Sequence, residues 1–342
     1  MDDKVYIIIL NWNGTDDTID CLKSLKSVHY NNYEIVLVDN GSSKENLLNL
    51  KKWCQNNFKN IIYYTKDQIE KEFKFNSKML FLNSPSCNNL IFIESNENLG
   101  FAAGNNLALK YVLKNNGIYS LLLNNDTVVT PEFLTILMNI YKKNPELGAV
   151  IPQIRFYYDK EKIWNCGGKI FFGFRKYYFA NKSYKKLPSK SKIKISFATG
   201  CAILFKPNEV GLLSENFFFG EEDFEFAYRM LKLNKKMACV LDSIIYHKVS
   251  KSIKKESVKG RIFIYYLNRF INMKTQFNNL YLWITWKYIY IIYIYILLLL
   301  SNFKTKEAFL FIRLLNIESI RKNKVDYNDF QTYLKKIDKL CY

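Results

Sequence analysis

The sequence is poor in the residues that mark simple metal or redox sites. Only two histidines, His29 and His247, occur in 342 residues. The seven cysteines (21, 54, 87, 166, 201, 239 and 341) are scattered, odd in number and never spaced C-x-x-C. That excludes a zinc ribbon and a disulfide framework, and cysteines within apolar runs read as reduced core residues of a cytosolic protein. Met1-Asp2-Asp3-Lys4, followed at once by a strand pattern, lacks the basic start and cleavage site of a secretory leader, so none is expected. No G-x-G-x-x-G is present, which removes support for a dinucleotide-binding fold. No heptad, RNP-type or zinc-finger pattern accompanies the basic residues, so nucleic acid is not expected as a partner. Acidic residues are outnumbered 31 to 50, leaving a net charge of +19. The remaining anionic partners are nucleoside diphosphates and anionic lipid.

What is present is a repeated unit of buried strand, polar tip and helix. Val5 to Leu10 is a short apolar run, as expected of a strand covered on both faces, and it stops at Asn11-Trp12-Asn13-Gly14. Asp16 or Asp17 is expected to cap a helix with apolar positions at Ile19, Leu22, Leu25 and Val28. Glu34 to Val38 repeats the pattern and ends in Asp39-Asn40-Gly41-Ser42-Ser43, before a helix over 44–57. This alternation predicts a parallel sheet with its ligand edge at the strand ends. The tract from Asp67 to Asn89 reads as an irregular, charged surface insertion. Leu90 to Glu94 resumes as a strand, and Gly100, Ala102, Ala103 and Gly104 open the next helix. Small residues there allow either close packing or an anion on the helix N–H groups.

The chain is organised around Leu121-Leu122-Leu123-Asn124-Asn125-Asp126, a buried strand ending in two amides and a carboxylate, with a helix signal at Thr130-Pro131-Glu132. Such a tip suits a hard cation carrying phosphates, or is a turn whose Asn and Asp bond their own backbone. From Arg155 to Lys194, antiparallel hairpins and a mobile basic loop near 182–194 are expected. Phe197 to Phe205 reads as a strand, and Pro207 to Leu213 as a short connection. Glu221-Glu222-Asp223 and Glu225 then crowd the first turn of a helix, a pattern that suits the dipole and also a general acid or base. His29 lacks acidic neighbours in sequence. His247 ends an apolar strand and is either a structural group or a transition-metal ligand.

The last third differs. Lys248 to Lys274 is basic with helical apolar spacing, and the tail from Asn302 is amphipathic and helical in pattern. Leu280 to Leu300 is almost wholly apolar, with Lys287 its only charge and with five tyrosines and two tryptophans. It can lie in the plane of a membrane, span it, or be buried in protein; membrane contact is the preferred reading.

Taken together and in order, Ile9 to Gly14, Val36 to Ser42, Asn98 to Asn106, Leu121 to Thr127, Ala198 to Ala202 and Phe218 to Glu225 resemble family 2 glycosyltransferases of the GT-A fold, near the rhamnosyltransferase-like branch. The resemblance covers about residues 4–250. It implies an α/β fold with a Rossmann-like mixed sheet flanked by helices. One domain spans residues 1–250, with residues 1–130 binding the nucleotide and residues 131–250 serving acceptor and metal. A helical, partly membrane-associating region follows over 251–342. The resemblance implies an inverting transfer of rhamnose or another hexose from a nucleoside-diphosphate sugar to a lipid-linked or polysaccharide glycan precursor, on the anionic cytoplasmic face of the cell membrane. By resemblance, Asp126 and His247 hold Mg or Mn, and Asn11, Asp39, Gly100, Asn105, Asn125 and Asp126 line the donor pocket. Asp223 is the base, with Glu222 the nearest substitute. The chain departs from the family's DxD element at Asn124, which leaves one carboxylate where two are usual. A sugar-nucleotide nucleotidyltransferase would need a basic, Gly-rich loop after the first strand, which Asn11-Trp12-Asn13-Gly14 does not supply. A non-catalytic membrane-surface protein would not need Asp126, Asp223 and His247 intact.

Overall fold

The computed structural model describes residues 2–75, 89–249, 258–277, 279–301 and 303–340. The chain divides into two compact units, Met1–Leu213 with Phe226–Ser250, and Ser214–Glu225 with Lys251–Tyr342.

The first unit runs β1 (Val5–Asn11), α1 (Thr15–Leu25), β2 (Tyr33–Asn40), α2 (Lys44–Asn57), β3 (Asn60–Thr65), α3 (Lys66–Phe75), β4 (Asn89–Ser95), α4 (Gly100–Lys114), β5 (Tyr119–Asn124), β6 (Thr127–Val129), α5 (Phe133–Lys142), β7 (Leu147–Phe156), β8 (Ile163–Asn165), β9 (Gly168–Phe171), β10 (Phe174–Tyr177), β11 (Lys192–Ile195), β12 (Ala202–Phe205), α6 (Pro207–Val210), α7 (Glu222–Lys232) and β13 (Lys236–His247). The division between the units falls within α7, after Glu225.

Among the described residues, eleven strands form one mixed sheet in the order β11-β13-β7-β12-β5-β1-β2-β4-β3, with β6 on β13 and β8 on β7. Strands β5, β1, β2, β4 and β3 are mutually parallel, and β12 runs antiparallel between β5 and β7. β1, β2, β4 and β5 are covered on both faces, which is why they read as apolar runs, whereas the edge strand β3 is part-exposed. Ile7, Ile9, Leu37, Phe92, Leu121 and Leu123 share one core with Leu22 and Leu25 of α1, Leu50 of α2 and Phe133 and Leu137 of α5. On the alternate positions, α4 packs against β1 and β2.

Several elements differ from the expectations. Lys66–Phe75 is a helix rather than irregular insertion, and residues 76–88 of that tract lie outside the described residues. Within Phe197 to Phe205 only Ala202–Phe205 is strand; Cys201 O instead accepts from the Asn124 N–H, tying the two tips together. Lys192–Ile195, inside the expected basic loop, pairs with β13. The N-cap of α1 is Gly14, with no side-chain cap, so Asp16 and Asp17 sit in the first turn instead. Cys21, Cys54, Cys166, Cys201 and Cys239 are buried and form no disulfide, and burial pushes the Cys21 and Cys54 thiols up to about 12. Cys87 and Cys341 lie outside the described residues.

The second unit contains the start of α7 with α8 (Val258–Gln276), α9 (Leu280–Leu299), α10 (Thr305–Arg321) and α11 (Tyr327–Leu340). α8 packs against α9, α10 and α11. One face of α9 carries Trp283, Trp286 and Tyr290, and the rings of Trp286 and Tyr290 pack on Phe270 of α8. Lys287 is on the same buried side, where its Nζ donates to Asn316 Oδ1 of α10 at 2.7 Å. The other face exposes Tyr281, Leu282, Tyr288, Ile289, Ile292 and Ile296.

Candidate active site

The parallel register sets Asn11 beside Asp39 at the carboxyl ends of β1 and β2. Asn11 Nδ2 donates to Asp39 Oδ1 at 2.8 Å; Ser42 donates through Oγ to the same oxygen at 2.7 Å and through its backbone N–H to Oδ2 at 3.1 Å. Both Asn11 and Asp39 are wholly inaccessible, so a carboxylate can be buried here only because these donors satisfy it. Asn125 enters the same network from the tip of β5, its Nδ2 donating to Thr18 Oγ1 at 2.9 Å. A Cβ at Gly14 would lie 2.6 Å from Asn125 Nδ2, so a larger residue there would have to displace the Asn125 amide from this network. Replacing Asp39 with Ala removes the acceptor of the Ser42 Oγ and Ser42 N–H donors and leaves Asn11 Nδ2 only its 3.2 Å bond to Ser42 Oγ. It is expected to cost about 2 kcal/mol or more, read as a lower urea midpoint of unfolding; an unchanged midpoint would show that the network is not stabilising.

Asn40 closes the next gap, which the sequence did not flag. Its Nδ2 donates to Gly100 O and Asn98 Oδ1, and its Oδ1 accepts from the Leu99 N–H. Gly100 has φ +81, a conformation suited to glycine, which lets the chain turn into α4. Asn105, by contrast, is buried and donates to Phe101 O one turn earlier in α4.

Asp126 does not sit at a strand-to-helix turn. It lies in the tight turn between β5 and β6, and β6 pairs antiparallel with the end of β13, so that Thr127 faces His247. That pairing brings the two sequence candidates together: His247 Nε2 lies 3.0 Å from Asp126 Oδ1, and both residues are buried. The Lys248 N–H donates to Asp126 O, while Lys248 Nζ bonds Asp17 at 2.9 Å and Asp20 at 2.7 Å, joining this edge to α1. Burial alone works to lower the Lys248 pKa, but the two carboxylates together raise it above its ordinary value. The Trp164 ring stands edge-on to His247 at 4.3 Å between centroids. Lys248 and Trp164 carried no local signal in sequence, since both act through a partner far along the chain. His29, expected to lack acidic company, pairs with Glu132 at an exposed position.

One carboxylate and one imidazole together suit a divalent cation that accepts both oxygen and nitrogen ligands. A carboxylate oxygen and an imidazole nitrogen 3.0 Å apart have the separation of adjacent octahedral ligands, about 3.0 Å for bonds of about 2.1 Å. His247 Nδ1 is buried with no hydrogen-bond partner among the described residues. No group of three or more His, Cys, Asp or Glu with metal-binding geometry occurs among them. A cation here would take its remaining ligands from phosphate oxygens and water.

In the second unit, Glu222 and Asp223 open α7 after Gly220 (φ +76) and Glu221 (φ +77). Glu221 holds a backbone conformation rare outside glycine, stabilised by Asn272 Nδ2 donating to its Oε1 at 2.9 Å. Its carbonyl accepts the N–H groups of Phe224 and Glu225. Asn268 of α8 donates to Phe219 O, and Phe218 N–H donates to Val325 O. These bonds explain why residues 214–225, expected with the domain over 1–250, group instead with the C-terminal helices. Glu221 is thereby structural, Glu222 is buried, and Asp223 is the more accessible carboxylate of the three.

The family model for glycosyl transferase family 2 matches residues 6–70 and 81–208, over half the chain. The chain belongs to that family and is a glycosyltransferase. Among solved structures, it is similar to the mannosyltransferase PcManGT from Pyrobaculum calidifontis in complex with GDP-Man and Mn2+, at 13% identity and TM-score 0.49, over 98% of this chain and 73% of that one. No curated protein matches it.

Proposed function

We propose that the protein is an inverting glycosyltransferase that moves a hexose, rhamnose by branch resemblance, from a nucleoside-diphosphate sugar to a hydroxyl of a cell-surface glycan precursor. The observation that carries this reading is the buried Asp126–His247 pair at the strand-tip edge of a family 2 sheet. Asp126 and His247 would hold Mg2+ or Mn2+, which when bound neutralises charge on the departing diphosphate. Asn11, Asp39, Asn125, Gly100 and Asn105 are the residues assigned to the donor. Asp223 takes the proton of the acceptor hydroxyl as its oxygen bonds the anomeric carbon and the bond from that carbon to the diphosphate oxygen breaks. One displacement inverts the anomeric centre. A thermal-shift panel of nucleotide sugars with and without Mn2+ tests the reading: one donor should raise the melting temperature well above the others, and only with the cation. A panel in which no nucleotide sugar stabilises the protein would remove it.

The same reading puts the acceptor at a membrane surface, on its cytoplasmic side by family resemblance. α9 supports this, with 20 residues, one apolar face packed on α8 and one apolar face exposed. Its single charge bonds α10 rather than facing lipid, which favours a helix lying in the interface plane over a span. The protein should float with vesicles containing phosphatidylglycerol and be released by Ile289→Glu with Ile292→Glu; flotation that the double variant does not alter would assign binding elsewhere.

A further inference from the structure

The two residues assigned to the cation stand on separate segments, and one helix holds both segments. Along one face of α1, Thr18 Oγ1 accepts from Asn125 Nδ2 at 2.9 Å, Cys21 Sγ donates to Asn124 O at 3.8 Å, and Ser24 Oγ accepts from the Val129 N–H at 3.2 Å. The turn that carries Asp126 is thus held on both sides of that residue. Asp17 and Asp20 of the same helix hold the other segment, with Lys248 Nζ donating to Asp17 Oδ1 at 2.9 Å and to Asp20 Oδ2 at 2.7 Å. Lys248 directly follows His247. Its own N–H donates to Asp126 O at 2.9 Å, and the His247 carbonyl accepts from the Tyr157 N–H at 2.9 Å. The Lys248 side chain is 9% exposed, against 30% for Asp17 and 47% for Asp20. Taking an ammonium out of water to this extent is costly, and an apolar side chain of similar length would fill the space without that cost. Packing alone therefore gives no reason for a lysine. What an apolar residue lacks is direction. Two carboxylates three residues apart on a helix catch one ammonium in one place, and so fix where the end of β13 meets α1.

We propose that Lys248 is a positioning residue that sets the Asp126–His247 spacing by clamping the end of β13 to α1. It touches neither the cation nor the substrate. α1 is the common template: its Thr18, Cys21 and Ser24 hold the turn after β5, and its Asp17 and Asp20 hold the residue next to His247. Without the Lys248 charge the pairing of β6 with β13 remains, but the 3.0 Å separation of Asp126 and His247 is no longer enforced from α1. The assignment rests on the glycosyltransferase reading and adds to it a residue outside the donor, cation and base sets.

Binding of Mn2+ to the full-length protein, followed by electron paramagnetic resonance of free Mn2+ with UDP, GDP or dTDP present, tests it. In Lys248→Met the Mn2+ concentration for half-saturation should rise about tenfold, the usual cost of losing a group that orients a ligand. Nucleotide affinity at saturating Mn2+ should stay at the wild-type value. Lys248→Arg keeps the charge and should recover most of the loss. Asp17→Asn with Asp20→Asn should reproduce the Lys248→Met effect, and adding Lys248→Met to that pair should weaken Mn2+ no further, because the three groups act through one network. Amide hydrogen exchange over residues 124–129 is a readout independent of the metal: it should quicken about tenfold in Lys248→Met and stay at the wild-type rate over β1. A lower melting temperature with unchanged Mn2+ half-saturation would make the ion pair structural only and overturn the assignment, as would Lys248→Arg being as defective as Lys248→Met. If Lys248→Met does not fold, the Asp17→Asn, Asp20→Asn pair, at more exposed positions, carries the test. Wild-type protein that binds no Mn2+ with any of the three nucleotides defeats the cation reading. Exchange over 124–129 that the loss of the ion pair leaves unchanged defeats the clamp, whichever way the metal result falls.

Discussion

Replacing Asp223 with Asn is expected to slow sugar transfer by roughly 10²–10⁴-fold, the usual contribution of a positioned general base, with no change in donor affinity. The amide has the carboxylate's shape but cannot take the acceptor proton at neutral pH. The bonds of Glu221 at the helix start, its carbonyl accepting the Phe224 and Glu225 N–H groups and its Oε1 accepting from Asn272 Nδ2, do not involve the substituted side chain. The measurement is the rate of transfer at saturating donor, with nucleotide binding measured separately. Transfer at the wild-type rate would remove Asp223 from the mechanism. Loss in Glu222→Gln with an unaffected Asp223→Asn would move the role to the buried neighbour.

Asp126→Ala is expected to lower transfer by roughly 10³-fold, because cation stabilisation of a leaving group amounts to several kcal/mol and each 1.4 kcal/mol is about tenfold. It should also abolish the Mn2+-dependent component of the thermal shift produced by nucleoside diphosphate. Asp126→Asn is the sharper variant, since it keeps a hydrogen-bonding group 3.0 Å from His247 Nε2 while removing the charge. Both variants should lose metal dependence together. With Asn124 in the other position of the element, Asp126 is the one carboxylate there, so no neighbour can substitute. His247→Ala should cost less than Asp126→Ala, because imidazole is a neutral ligand. Transfer that continues in excess chelator would contradict the cation role for all three variants.

Much of the sheet is legible in the sequence. Val5 to Leu10, Glu34 to Val38 and Leu121 to Leu123 are apolar at nearly every position because both sheet faces are covered, and a run of that kind is hard to read otherwise. The polar tips Asn11, Asp39 and Asn125 follow from their place at strand ends. Less legible are features without local periodicity. The strand β6 is three residues long, too short to announce itself, and its antiparallel pairing with β13 depends on a segment more than a hundred residues away. The helix at Lys66–Phe75 hides behind a charged composition. Asn40, Trp164 and Lys248 give no signal because each takes its role from a partner that sequence spacing does not reveal.

The amino-acid order by itself determined the α/β class, the family and the chemical identity of the candidate residues. These depend on local apolar patterning and on side-chain types at strand tips, both of which are properties of short segments. Only the tertiary structure decided that Asp126 and His247 meet, that Glu221 is spent on holding a turn, and that the acid-bearing segment is gripped by α8 and by Val325 just before α11. It also decided that α9 has two different faces. Each of these is set by long-range pairing and packing, where the free energy comes from burying groups far apart in the chain, so no short stretch carries the information.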